Sequence, residues 1–470
     1  MTERRRALRS VAVLAMAACA ALGVVPLTIT AADASDDTTG ELQTPVLSVR
    51  RIPNVMFGAV ADPKFIPAIS SYLDKVAGTT CSLITENGRL IYARNTAESL
   101  APASTIKVLT ATVALEVLGP DTRLRTTVVS AAPTNDGVVS GDVYVVGGGD
   151  PLLVTAGYRQ SLDNPDQLTT DFARLADAVA SSGVREIRGN IFGDDSRHDR
   201  TRWLPTWPTR YQIGGVVGPL SALMVNDGQT GFVDQPDRPN PERRAGDPPA
   251  LAAATLKTLL GQRGVQVIGS AGAATAPTET KEIAGLDSAS IREIVGEMMT
   301  DSDNTTAELL AREIGLKESG QPTSVAGVEA IRSVIERLGL PLAGSTIVDG
   351  SGLDPANRLT CPLLVDALSR LPSDSPIISG LAIAGRTGTL RKRMLNTSAA
   401  GKVRAKTGTL NNVNALVGFA EAKAGITIIF SMIENGVDPR GTGVTDGFAE
   451  RLVTFGDGPP LSSLGPLPLP

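Results

Sequence analysis

The string Ser104-Thr105-Ile106-Lys107-Val108-Leu109-Thr110-Ala111 opens an apolar run that continues through Leu115 and Leu118 and stops at Gly119-Pro120. Apolar residues at Val108, Leu109, Ala111, Leu115 and Leu118 give a helix a broad buried face, and Gly-Pro ends it. On that helix positions i and i+3 share a face, so Lys107 can reach the Ser104 hydroxyl, while the N-terminus turns amides toward any oxyanion formed beside the serine. The pair supplies a nucleophile and a base without histidine. Such a string more commonly means an N-cap serine followed by a surface lysine. Here it is the single S-x-x-K of a chain that holds ten lysines.

Upstream of this helix, Phe65, Ile66, Ile69, Tyr72, Leu73 and Val76 recur at helical spacing, and folded structure is expected from about Asp62. Thr80–Thr85 and Arg89–Ala93 read as strands joined through Asn87-Gly88, a strong hairpin signal. From residue 125 to 282 the texture changes to short strand-like runs at Thr127–Ser130, Asp142–Val146, Glu186–Phe192, Thr230–Val233 and Val265–Ile268, separated by Gly, Asp and Pro clusters. This stretch reads as a β-rich insertion of two subdomains. Helical patterning returns at Ser288–Thr300, Thr305–Ile314 and Val325–Leu338. Leu416–Glu421 and Ile426–Ile433 then read as antiparallel strands, and Thr445–Phe455 as a closing helix. The fold class is therefore α/β (α+β): one domain, 61–124 with 283–457, whose two chain ends meet in an antiparallel sheet flanked by helices. Residues 35–60 read as a linker and 458–470 as a disordered tail.

The composition narrows the function. The 470 residues carry a formal charge of −5 and only 3% aromatics, which argues against a nucleic-acid partner. His198 is the one histidine, so a zinc hydrolase with two or three imidazole ligands lacks its parts, and a Ser-His-Asp triad would have to use His198 as its base; no metal or other cofactor is implied. In Gly193-Asp194-Asp195-Ser196-Arg197-His198-Asp199 it reads as a surface loop residue. Arg4, Arg5, Arg6 and Arg9 precede an uncharged run from Val11 to Ile29 and then Ala32-Asp33-Ala34, the pattern of a secretory signal over residues 1–34. That run is also about as long as a membrane-spanning helix, which leaves cleavage and an uncleaved anchor both open. An exported protein in the cell envelope is expected, with any membrane contact through this segment. Cys81 and Cys361 would remain after cleavage, and the sequence leaves a disulfide and two buried free thiols equally open.

Ser302-Asp303-Asn304 is the single S-x-N of the chain and Lys406-Thr407-Gly408 its single K-T-G. Their order after Ser104–Lys107, on a helix start, an interhelix loop and a strand, matches the set shared by class A β-lactamases and penicillin-binding proteins. The strings Gly147-Gly148-Gly149-Asp150-Pro151-Leu152, Gly189–Asp194, Asp349-Gly350-Ser351-Gly352-Leu353, Gly388-Thr389-Leu390 and Arg404–Leu410 extend the likeness. Over nearly all the mature chain the sequence resembles the type-4 penicillin-binding proteins, the class C low-molecular-mass D-alanyl-D-alanine carboxypeptidases and endopeptidases of peptidase family S13. Arg386-Thr387-Gly388 nearly repeats the K-T-G string but lacks the lysine, so Lys406 is preferred.

The resemblance implies a serine β-lactamase/transpeptidase-like domain that hydrolyses peptidoglycan stem peptides and crosslinks and is acylated by β-lactam antibiotics. It assigns the nucleophile to Ser104, the base to Lys107, proton relay to Ser302, and orientation of Lys107 and the substrate amide to Asn304. Lys406, Thr407, Gly408 and Thr409 are implied to bind the terminal carboxylate, with the Ser104 and Thr409 amides around the oxyanion. Asp150 is a candidate for reading a charged side-chain end such as that of meso-diaminopimelate, or else a turn-forming aspartate before proline. Asp349, Ser351 and Arg391 are family-like and equally open to structural roles. The competing readings are a β-lactamase, for which no class A type glutamate is evident between Ser104 and Ser302, and a non-catalytic penicillin-binding sensor or scaffold.

Overall fold

The computed structural model describes residues 53–164, 166–230, 244–437 and 443–456. The export-signal, 35–52 and 458–470 readings lie outside the described residues, as does most of the Thr230–Val233 run. The first helix, α1 (Pro53–Leu73), begins before the expected start at Asp62 and carries Pro63 and Pro67 within it.

Strands β1 (Thr79–Glu86) and β2 (Arg89–Arg94) form the expected hairpin. Asn87 and Gly88 both have positive φ, 46° and 78°, the turn geometry whose twist matches the flanking strands. Helix α2 (Lys107–Leu118) follows. The chain then enters the insertion through β3 (Arg123–Ser130), β4 (Val143–Val146), α3 (Ala173–Ser181), β5 (Ile191–Asp194), α4 (Pro248–Gly261), β6 (Ala271–Ala273) and β7 (Lys281–Ser290). The sheet order is β6–β5–β4–β3–β7, with β4, β5 and β6 parallel and the others antiparallel. Parallel neighbours need a crossover, and α3 and α4 supply it. Val145, Leu175, Val179, Ile191, Leu256 and Leu260 belong to the apolar core of this unit. The run read as one strand, Glu186–Phe192, is cut in two: Glu186–Ile187 pairs in a separate small sheet and β5 begins at Ile191. Gly189 marks the break, where an added Cβ would lie 2.4 Å from the Gly141 carbonyl.

Helices α5 (Ile291–Asp301), α6 (Asn304–Ser319), α7 (Ser324–Arg337) and α8 (Cys361–Ser369) return the chain to the first domain. Ser290 and Glu293 close a capping box at the start of α5, a feature worth about 1 kcal/mol. Strands β8 (Ala382–Ile383), β9 (Val403–Leu410), β10 (Val413–Glu421) and β11 (Thr427–Asn435) and helix α9 (Gly443–Leu452) complete it. The antiparallel sheet runs β8–β9–β10–β11–β1–β2, so the two chain ends meet at β1–β11, from Thr79 opposite Asn435 to Glu86 opposite Ile428. Side chains alternate across it. Cys81, Ala415, Val417 and Ile433 join the core shared with α2, α5, α6, α7 and α8; Leu416, Ala420, Phe430 and Met432 face Phe65 and Ile69 of α1 and Phe448 of α9.

A disulfide joins Cys81 on β1 to Cys361 at the start of α8, with Cα atoms 6.1 Å apart, which settles the pairing that the sequence left open. His198 departs from the surface-loop reading. It is 3% exposed, and its Nε2 lies 2.7 Å from Glu313 Oε1 of α6, which also takes two hydrogen bonds from Arg197. The loop ties the insertion to α6 through Glu313, and burial pushes the imidazole pKa down. Among the described residues no helix is long and apolar enough to cross a membrane.

Candidate active site

Ser104 sits in a single 3-10 turn, Ala103–Ile106, and the α-helix proper starts at Lys107. Ala103 before it has a φ of +46°, a conformation that costs an L residue free energy and is retained where surrounding structure enforces it. Lys107 is fully buried. Its Nζ donates to Ser104 Oγ at 2.8 Å, Asn304 Oδ1 at 2.7 Å and the Ser351 carbonyl at 2.7 Å. The Asn304 amide is oriented by its other end, since Nδ2 donates to the Val216 carbonyl at 2.8 Å. Two of the three Nζ partners are therefore obligate acceptors. When the lysine loses its proton, its remaining two hydrogens stay with them and its lone pair faces Ser104. Burial lowers the Lys107 pKa to about 8 against the upward pull of Asp349, Asp303 and Glu308.

The second lysine stands on the central strand of the site. Lys406 Nζ of β9 donates to Ser302 Oγ at 2.7 Å and to the Thr407 carbonyl at 3.1 Å; burial first, then Lys107, hold its pKa well below that of an ordinary lysine. Ser302 ends α5 in the left-handed region (φ 65°, ψ 34°), which turns the chain so that Asp303 caps α6 and Asn304 opens it. Thr407 Oγ1 donates to Thr389 Oγ1 at 2.9 Å. Gly408 is where β9 meets the nucleophile turn: a Cβ there would lie 2.5 Å from the Pro102 carbonyl. Thr409 is exposed on the same strand. The strand β8 pairs with β9 only at Arg404 and Ala405, which leaves the 406–410 edge without a strand partner on that side among the described residues. Arg386, the alternative to Lys406, packs instead against Gly401.

Beside Ser302 opens a cavity of about 350 Å³ whose lining includes Tyr158, Asp227, Asp301, Asp303, Thr389 and Arg391. Asp150 does not line it. That carboxylate is 2% exposed and accepts the Leu152 amide at 2.9 Å in the turn before Pro151, and burial raises its pKa to about 6. The structure thus gathers Ser104, Lys107 and Asn304 in one hydrogen-bonded group and Ser302, Lys406 and Thr407 in a second, and leaves Asp150 buried in its own turn, next to Pro151 and Leu152 of the cavity wall.

Sequence reasoning gave no role to Val216, Trp207 or Glu308. Val216 and Trp207 come from the insertion; Trp207 Nε1 donates to Asp349 Oδ2 at 2.8 Å. Glu308 Oε1 of α6 accepts the Ser351 amide at 2.7 Å. No motif marks them, and their relation to Lys107 exists only in three dimensions.

A serine bonded to a buried lysine, at the edge of an antiparallel sheet and facing a second lysine and serine, defines a serine acyl hydrolase with lysine in place of histidine. The comparisons agree. The model of the D-Ala-D-Ala carboxypeptidase 3 (S13) family matches residues 71–243 and 230–443. The D-alanyl-D-alanine carboxypeptidase of Actinomadura sp. (strain R39) is 30% identical over 446 residues, covering 79% of this chain and 80% of the relative. Carboxypeptidase DacB of Mycolicibacterium smegmatis is 32% identical over 387 residues, 79% of each chain. The crystal structure of penicillin binding protein 4 (DacB) from Haemophilus influenzae shares the fold with a TM-score of 0.67 at 20% identity, covering 82% of this chain and 97% of that one. The chain belongs to the S13 family and is a serine-type D-Ala-D-Ala carboxypeptidase.

Proposed function

We propose that Ser104 is the nucleophile and Lys107 its base. The observation that carries this is the hydrogen-bond arrangement at Lys107, whose neutral form has its lone pair aimed at Ser104 Oγ. Ser104 Oγ attacks the carbonyl between the two D-alanines as its proton passes to Lys107 Nζ. The oxyanion lies between the backbone amides of Ser104 and Thr409, each donor worth roughly 3 kcal/mol. The C–N bond then breaks, and the proton held by Lys107 is relayed through Ser302, itself bonded to Lys406, to the leaving amine, which returns Lys107 to its neutral form. Water hydrolyses the acyl-enzyme, with Lys107 again taking the proton. Lys406, Thr407 and Thr409 meet the terminal carboxylate, and the free edge of β9 pairs the extended peptide.

The cavity beside Ser302 has Asp163, Asp227, Asp301, Asp303 and Arg391 in its lining, a combination suited to a side chain that ends in both an ammonium and a carboxylate, as meso-diaminopimelate does. This favours Asp227, Asp301 and Asp303 over Asp150 as readers of that end. The same machinery splits crosslinks where the amine beyond the scissile bond belongs to a neighbouring stem, and β-lactams, which mimic the dipeptide, acylate Ser104. The arginine-led apolar run at the N-terminus supports action outside the cytoplasm.

Incubation with purified crosslinked and uncrosslinked muropeptides, followed by mass spectrometry of the products and of the protein after benzylpenicillin, tests the proposal. Loss of one D-alanine or splitting of crosslinks, with an adduct on Ser104, is expected. A Ser104→Ala protein that still turns over substrate would sink the mechanism.

A further inference from the structure

Behind Lys107 the peptide group between Ser351 and Gly352 is bonded at both ends: its carbonyl accepts from Lys107 Nζ at 2.7 Å and its N–H donates to Asp349 Oδ1 at 2.7 Å. Asp349 is fully buried and collects three more donors, the Asp354 amide at 2.6 Å, Trp207 Nε1 at 2.8 Å and Asn357 Nδ2 at 2.8 Å. A second buried carboxyl, Glu308, holds the Ser351 amide through Oε1, while its Oε2 has no hydrogen-bond partner.

We infer that Asp349 is a positioning residue that sets the proton affinity of the catalytic lysine through the Ser351–Gly352 peptide, with the insertion's Trp207 helping to hold it ionised. The inference rests on Lys107 being the base. A negative charge at the N–H end of a peptide polarises its carbonyl and makes it a better acceptor, so ionised Asp349 favours the ammonium form of Lys107. Burial raises both carboxyls, and Glu308, with Asp349 as neighbour, reaches about 8. Two carboxyls this close share one charge near neutral pH, and the four donors keep it on Asp349. The charged and titratable groups around Lys107 are Asp303, Glu308, Asp349 and Lys406; those around Asp349 are Glu308, Lys107, Asp354 and Tyr211. None of the others is joined to Lys107 through a single peptide.

The test is the rate of benzylpenicillin acylation against pH, followed by mass spectrometry, for the full chain and its variants. In Asp349→Asn the rising limb assigned to Lys107 should move to lower pH by about one unit, because the ammonium has lost its stabiliser. Asp349→Ser leaves room for water to meet the four donors and serves where the asparagine protein does not fold; the same shift is expected. In Glu308→Gln the limb should move clearly less than in Asp349→Asn, since Glu308, with its pKa raised to about 8, carries little charge until the limb itself is reached. Folded Asp349 variants with an unmoved limb would overturn the inference, as would a shift seen in Glu308→Gln alone, which would assign the charge to Glu308. Lys107→Ala acylating at the wild-type rate would instead overturn the assignment of the base.

Discussion

As the proposed base, Lys107 is charged in most molecules at neutral pH and able to accept a proton in the rest. With its pKa lowered from 10.5 to about 8, about a tenth of the protein holds the neutral amine at pH 7. Acylation should therefore quicken as pH rises, with a midpoint near 8, and flatten where Lys107 is fully deprotonated; a rate flat from pH 6 to 9 would count against Lys107 as base. Ser302 permits a sharper separation of chemistry from strain. Its φ of 65° costs an L residue about 1 kcal/mol, and its hydroxyl accepts from Lys406. Ser302→Gly should unfold at a higher denaturant concentration than Ser302→Ala, while both lose about a hundredfold or more in turnover. Equal stability of the two would mean that the left-handed turn is not strained, and retained turnover in either would remove Ser302 from the proton path. The three motifs were legible because each is a short contiguous string whose residue types fix the chemistry. Glu308, Val216 and Trp207 were not, since each acts on the site through a tertiary hydrogen bond with no local pattern. Asp150 was drawn toward the site by its Gly-rich string; its carboxylate bonds within the turn at Pro151, and Pro151 and Leu152 of the same string line the cavity.

At the scale of the element, β9 must lie against the turn that carries Ser104, and Gly408 is the point of closest approach. Gly408→Ala would set a Cβ 2.5 Å from the Pro102 carbonyl and 3.2 Å from Ala103 Cβ, both parts of an enforced turn that cannot yield freely. We expect at least a tenfold loss of acylation, a misplacement of about 1 Å sufficing for more, with a lowered melting temperature; wild-type acylation would show that strand and turn move apart without consequence. Strong periodicity made the sheet strands and α5, α6 and α7 readable. The elements missed open on proline: α4 begins Pro248-Pro249 and α8 has Pro362 in its first turn, and neither stretch was assigned a helix from the sequence. Proline is tolerated there because the first amides of a helix have no partner within it. Glu186–Phe192 misled in the opposite sense, one apolar run serving two sheets across Gly189.

Over the whole molecule, the catalytic sheet is assembled from the two ends of the described chain, with the insertion and the central helices between them. Residues 82–360, which include Ser104, Asn304 and Asp349, form a loop closed at its base by the Cys81–Cys361 bond. Closing so long a loop removes conformational freedom from the unfolded chain, an effect of about 2–4 kcal/mol. Both cysteines are fully buried, so a reductant has little access to the folded protein, and the informative comparison is Cys81→Ala/Cys361→Ala against the wild type. Its urea midpoint should fall by an amount corresponding to about 2–4 kcal/mol. Acylation by benzylpenicillin at 25 °C should survive, because no hydrogen bond of Lys107, Ser302 or Lys406 passes through either sulfur. An unchanged midpoint, or two titratable thiols in the unfolded wild-type protein, would show that the bond does not staple the sheet to α8. Loss of acylation in a variant that remains folded would place the disulfide in the support of the site itself.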